Sequence, residues 1–168
     1  MLETAPTRIE RPPLPVVAVR AAGGEDAAQV HRLSRTFVRT GALRDRTLAE
    51  LARRAPDFLV AEVGCDGLVG CVGLRSRSDA RGQKAVVLDN FCVAPGRQGC
   101  GIGSALLEAA FREAGARGAA RVFTATVGSG LLFLRYGFAD GGEQEAPPAW
   151  RAGLDPARGA RILVRALG

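Results

Sequence analysis

The sequence holds one histidine, one lysine, one tryptophan, one tyrosine and one methionine in 168 residues. The single histidine, His31, has no partner for a metal site. The four cysteines, Cys65, Cys71, Cys92 and Cys100, show no C-x-x-C spacing. No metal is expected, and free thiols in a reducing cytoplasm are. No apolar run approaches the ~18 residues that a membrane span needs. The first residues lack a charged-then-apolar pattern, so neither a signal peptide nor a membrane partner is expected. The net charge is +6, yet no basic helix carries interleaved aromatics, which argues against a nucleic-acid partner.

What remains is an ordinary globular composition, 47% hydrophobic and 24% charged. The length favours one domain with a full core. Of 23 basic residues all but Lys84 are arginine, a bias that can be a genomic habit. A polyanionic cofactor would account for part of the excess. Residues 1–15 carry Pro6, Pro12, Pro13 and Pro15 without periodicity and read as a flexible tail. Residues 16–168 read as the folded domain.

Along that domain, Val16 to Arg20 reads as a strand and Glu25 to Phe37 as a helix with Val30, Leu33 and Phe37 on one face. Thr47-Leu48-Ala49-Glu50 is a capping box that opens a second helix through about Ala55. Phe58 to Val63 and Leu68 to Leu74 flank the hairpin signal Asp66-Gly67. Arg75 to Gln83 is polar and reads as an exposed loop. Ala85 to Val93 is a strand, Ile102 to Ala114 a helix, Arg121 to Val127 a strand, and Leu131 to Tyr136 a short helix stopped by Gly137. Gly141 to Pro156 reads as irregular, and Arg161 to Leu167 closes the chain as a strand.

The most informative stretch is Phe91 to Leu107, FCVAPGRQGCGIGSALL. A strand ends at Pro95-Gly96. Glycines at 99, 101 and 103 then stand where the first turn of a helix has its free N–H groups. Those donors and the helix dipole suit a phosphate. The dinucleotide fingerprint does not fit, because Ser104 and Leu106 occupy its last position, and no phosphate-loop lysine motif occurs. A glycine-rich connection without a ligand is the plain alternative. Gln98-x-x-Gly101-x-Gly103 after a strand ending in Val93 resembles the pyrophosphate loop of the GNAT acetyltransferase superfamily. The order of elements, with this loop after the fourth strand, resembles the same fold.

That resemblance implies an α/β (α+β) fold, a mixed central sheet of about seven strands flanked by about four helices. It implies acetyl-CoA as cosubstrate, held along Phe91, Cys92 and Val93 and by Gln98, Gly99, Cys100, Gly101, Ile102, Gly103 and Ser104. Phe133 stands where many GNAT enzymes have an acid tyrosine and is expected beside the cosubstrate. A second resemblance runs over residues 16–167. Gly41 to Leu51, Asp57 to Glu62, Leu68 to Cys71, Phe123 to Phe138 and Arg158 to Leu167 are similar to the acetyltransferase domain of N-acetylglutamate synthase. It implies direct transfer of acetyl to the amine of an amino acid, glutamate favoured, with Arg46 and Arg158 holding carboxylate. Another small-molecule amine, or a catalytically silent acetyl-CoA-binding protein, are the alternatives. The oligomeric state stays open, with a homodimer as one option.

The catalytic candidates depart from the family pattern. Val87 stands where some relatives have a carboxylate. Asp89 is two residues on and reaches the same face of a regular strand, so it is the expected base; it could instead pair with an arginine. Thr126 falls at a family serine and is a candidate acid, or only a strand former. Tyr136, one helical turn from Phe133, is the other candidate acid, or a core residue. Cys92 lies near the expected thioester, but no base accompanies it, which favours an inert thiol. Ala160 replaces a family serine.

Overall fold

The computed structural model describes residues 16–168; the tail expected at residues 1–15 lies outside them. Strand β1 (Val17–Ala21) is followed by helices α1 (Ala27–Arg39) and α2 (Leu48–Arg54). Strands β2 (Phe58–Val63), β3 (Leu68–Ser78) and β4 (Lys84–Val93) form a meander. Helix α3 (Ile102–Ala116), β5 (Arg121–Thr126), α4 (Leu131–Arg135), β6 (Ala139–Asp140), α5 (Pro148–Ala152) and β7 (Arg161–Ala166) complete the chain. One seven-stranded sheet has the order β1-β2-β3-β4-β5-β7-β6. The β4–β5 pair is parallel; the other neighbours are antiparallel.

Local chemistry explains most boundaries. Thr47 Oγ1 accepts from the Glu50 N–H at 3.1 Å, and Glu50 Oε2 accepts from the Thr47 N–H at 2.7 Å, which starts α2 at the expected place. Helix α3 lies close on the sheet because residue 70 is glycine: a methyl there would stand 2.9 Å from Leu106 Cδ1 and 3.1 Å from Ile102 Cγ2. The core on that side joins Val72, Leu74, Val86 and Leu88 to Leu106 and Leu107. On the other side Leu51 and Val30 pack with Phe58 and Val60. Each such side chain, taken from water, contributes about 1.5–3 kcal/mol.

Two expectations are corrected. Arg75 to Gln83 is not one loop, because β3 continues to Ser78 and pairs through Ser78↔Lys84. The ladder is made by the backbone, so polar side chains that stay exposed do not break it. The stretch Gly141 to Pro156 contains α5, which opens on Pro147-Pro148; proline suits a first turn, whose N–H groups lack partners anyway.

The feature that organises the site is a split in the sheet. β4 and β5 pair from Ala85↔Arg121 to Leu88↔Thr124 and no further, although both strands run on. The cause sits on the other edge of β4. Cys71↔Cys92 and Gly73↔Asp89 are partners, which leaves Asn90 and Phe91 opposite Val72 alone. That is a β-bulge, and it bends β4 away from β5. Asn90 adopts φ 49°, the one positive-φ residue other than glycine among the described residues.

Candidate active site

The split strands and the glycine loop enclose three connected hollows. The largest, about 500 Å³, lies at the start of α3 and is bordered by Phe91, Val93, Gln98, Gly101, Leu132 and Arg135. Gly99 and Gly101 have φ 79° and 82°, and a Cβ at either would meet no atom within 4 Å. Glycine is needed here for conformation, and its bare backbone leaves the loop amides open. Gly101 is the N-cap of a 15-residue helix and supplies no side-chain cap, so the helix donors remain for a ligand. These features fit a pyrophosphate. Gly103 has a packing reason instead: a methyl there would stand 2.8 Å from Leu132 Cδ2.

The second hollow, about 210 Å³, lies in the split itself, between Asp89-Asn90-Phe91 and Thr124 to Gly128, with Phe133 at its side. Phe91 and Phe133 pack with ring centroids 5.4 Å apart. Thr124 Oγ1 donates to the Leu88 carbonyl at 3.2 Å, where the strands part.

The third, about 120 Å³, is bordered by Arg44, Arg46, Arg75 and Arg158, by Asp89, and by Trp150 and Leu154. Asp89 is the hub of its wall. Arg54 donates Nη1 to Oδ2 at 3.0 Å and Nη2 to Oδ1 at 3.1 Å. Arg75 Nε and Arg46 Nη2 reach Oδ2 at 2.9 and 3.1 Å. Burial opposes the charge on Asp89, but Arg54, Arg46 and Arg75 together outweigh it and hold the carboxyl below its ordinary value. Burial pushes the Arg46 guanidinium down, against Asp89, yet arginine starts high enough to stay charged. Arg158 crosses from the far end of the chain and donates Nη2 to the Gly41 and Ala42 carbonyls, both at 3.1 Å.

A family model described as acetyltransferase (GNAT) domain matches residues 54–140, half of the chain. The chain belongs to the GNAT acetyltransferase family. No curated protein matches the sequence. Among solved structures, N-acetylglutamate synthase from Neisseria gonorrhoeae, complexed with coenzyme A and N-acetyl-glutamate, superposes at TM-score 0.82 with 27% identity. That match covers 91% of this chain and 35% of that one, so the chain spans about a third of that relative's length. Rv2747 from Mycobacterium tuberculosis, in a complex with CoA, shares the fold at TM-score 0.74 and 23% identity, over 90% of this chain and 99% of that one. A GNAT-family acetyltransferase from Staphylococcus aureus Mu50 does so at TM-score 0.74 and 16% identity, over 91% and 100%.

The chain thus carries a GNAT acetyltransferase domain, and its α/β sheet of seven strands is the GNAT fold. The acetyltransferase brings most of the expected residues together. Phe91, Cys92, Val93, Gln98, Gly99, Gly101, Gly103 and Ser104 border the large groove. Ile102 is buried in the core and Cys100 is exposed, and neither borders the groove. Asp89, Thr126 and Phe133 border the split; Arg46 and Arg158 border the arginine cavity.

Two expectations change in the acetyltransferase, those for Tyr136 and Asp89. Tyr136 borders none of these hollows. Its ring packs 6.3 Å from Phe111, and its hydroxyl donates to Glu108 at 3.4 Å, on the outer side of α3. Helix α4 ends at Arg135 and Tyr136 is its C-cap, so the helical spacing from Phe133 does not hold there, and the tyrosine side chain lies on α3 away from the split. Asp89 has the expected parity, because the bulge lies beyond it, but its oxygens are occupied and its basicity is lowered. Cys92 stands 3.6 Å from Cys71, sulfur to sulfur, and both are buried. The bond to Cys92, and burial, push the Cys71 thiol well above its ordinary value. Sequence reasoning missed Arg54 and Arg75. Each is one arginine among many, and only the fold reveals its shared partner.

Proposed function

We propose that this acetyltransferase moves acetyl from acetyl-CoA to the amine of an amino acid, glutamate favoured, by direct transfer in a ternary complex. One observation carries the reading: Arg46 and Arg158, from distant parts of the chain, border the same small cavity beside the strand split. A planar guanidinium meets a carboxylate on two bonds. The cavity wall holds more cations than anions, so an anionic acceptor suits it. The likeness to N-acetylglutamate synthase supports the same acceptor class.

The chemistry is a balanced exchange. A C–N bond forms as the neutral amine attacks the thioester carbonyl, and the C–S bond breaks. The acceptor ammonium first gives up a proton, and the leaving sulfur takes one. Asp89 is a poor destination, being ionised and fully engaged. We assign it the role of arranging Arg46, Arg54 and Arg75, with the proton leaving through water. Thr126, on the edge of the split, is the hydroxyl nearest in character to the required acid. Backbone N–H groups of the unpaired end of β4 would meet the developing oxyanion. On this reading the enzyme works in cytoplasmic amino-acid biosynthesis.

A second reading has its own observation. Arg46 is already engaged by Asp89, and Arg158 by two carbonyls, so a different small amine could be the acceptor. Thiol release from acetyl-CoA, measured across amino acids and carboxylate-free amines, separates the two. Fast turnover with glutamate or another amino acid supports the first. Turnover confined to carboxylate-free amines supports the second, and thiol release with none of them would leave a silent acetyl-CoA binder.

A further inference from the structure

We propose that Asn90 and Ser34 form a latch that fixes the bulge of β4, and with it the distance between the two substrates. Asn90 is the joint between their sites. The residue before it, Asp89, borders the arginine cavity. The residue after it, Phe91, borders the cosubstrate groove. A left-handed residue between them decides how far the two neighbours diverge.

The side chain of Asn90 does not enter the split as a free group. It is buried and turned toward α1. Its Nδ2 donates to Ser34 Oγ at 2.8 Å, and Ser34 Oγ donates to the Val30 carbonyl at 2.7 Å. On the sheet side, the Cys71 thiol donates to the Asn90 carbonyl at 3.4 Å, and Asn90 Nδ2 lies 3.6 Å from Cys71 Sγ. The bulge is therefore tied to a helix on one side and to β3 on the other.

The residue types fit the task. Asparagine visits the left-handed region more readily than other side chains. Ser34 is buried on the face of α1 that Val30 also buries. A hydroxyl there has a cost unless it is bonded, and it finds its partners in this chain of donors. Acyl transfer is sensitive to such a joint, because a misplacement of about 1 Å can cost about a hundredfold in rate. Asn90 borders the arginine cavity and the split, but its amide is spent on Ser34, which borders neither; both are positioning residues. The inference rests on acetyl transfer across the split and not on the identity of the acceptor.

The test uses the full chain with Ser34→Ala, Asn90→Gly and the double variant, and with the best amine of the panel, whatever its class. Glycine accepts the positive φ, so Asn90→Gly removes the amide without adding strain. Each single variant should lower kcat about tenfold to a hundredfold. Both KM values, and the Kd for CoA by calorimetry, should stay within about threefold. The double variant should be no slower than Asn90→Gly, since both break one latch. Ser34→Thr, which keeps the hydroxyl, should recover most of the kcat lost in Ser34→Ala. An unchanged kcat in Asn90→Gly overturns the proposal, and so does a double variant in which the two losses multiply. Loss of CoA binding together with kcat would make the pair a plain fold element and overturn it too. If Ser34→Ala fails to fold, Asn90→Gly alone decides by its kcat.

Discussion

Arg54 grips both oxygens of Asp89, at 3.0 and 3.1 Å, from 35 residues away in the chain. The same guanidinium lies 5.1 Å from the ring centre of Phe58. This fork turns the one carboxylate of the β4 site face into an anchor for arginines. It also sets the sign of what pH should do. Asp89 is held ionised in the fold, with a value below that of the unfolded chain, so its stabilisation is present above about pH 4 and lost as pH falls through the folded value. Asp26, bonded to Arg20, and Asp79, which burial opposes but Gln83, Arg81 and Arg121 favour, are shifted the same way. Asp89→Asn should therefore lose stability at pH 7 and show a shallower loss from pH 5 to pH 2 than the parent. Its kcat should not recover at high pH, as it would if a base had been removed. Thermal melts and a pH–rate profile check both.

Gly73 makes room for the fork. A methyl there would overlap Asp89 Oδ1 and stand 3.1 Å from Phe58 Cζ and 3.2 Å from Arg54 Nη2. Gly73→Ala should destabilise by about 1–3 kcal/mol, the usual range for overpacking. It should raise the KM of the acceptor more than that of acetyl-CoA. Steady-state kinetics with both substrates varied reads the difference.

Gly101→Val places a β-branched side chain at φ 82° and puts methyls into the open mouth of the loop. The strain should cost about 1–2 kcal/mol. Calorimetric affinity for CoA should fall well beyond tenfold while the fold, followed by circular dichroism, persists. A folded variant that binds CoA as before would remove the loop from the cosubstrate site.

Tyr136→Phe should leave kcat within about twofold, because the hydroxyl meets only Glu108 and a single such bond contributes about 0.5–1.5 kcal/mol to stability at most. Thiol-release assays suffice. A hundredfold loss would return the acid role to Tyr136.

The glycine loop was legible in the sequence because its chemistry is local. Positive φ, a strand end and a helix start all fall within seventeen residues, Phe91 to Leu107. The capping box at Thr47 was legible for the same reason. The arginine hub was not, since Arg46 and Arg54 stand before and at the end of α2 and Arg75 on β3, and nothing local marks their shared partner. The side chain of Tyr136 was not legible, because α4 stops at Arg135 and the helical spacing that relates Tyr136 to Phe133 no longer applies. The extension of β3 was missed because residues 75–78 carry polar side chains while their backbone does the pairing. Asn90 gave no signal at all: only its φ and its contact with Ser34, 56 residues away, set it apart.

The central claim is that an acceptor carboxylate meets the arginines of the small cavity, and Arg158→Ala tests it most directly. A hydrogen bond to a charged group contributes about 1.5–3 kcal/mol, and about 1.4 kcal/mol is tenfold. With the best amino acid as acceptor, kcat/KM should fall tenfold to a hundredfold or more, while the Kd for CoA barely moves. Full activity toward that amino acid in the folded variant would contradict the claim and favour a carboxylate-free amine.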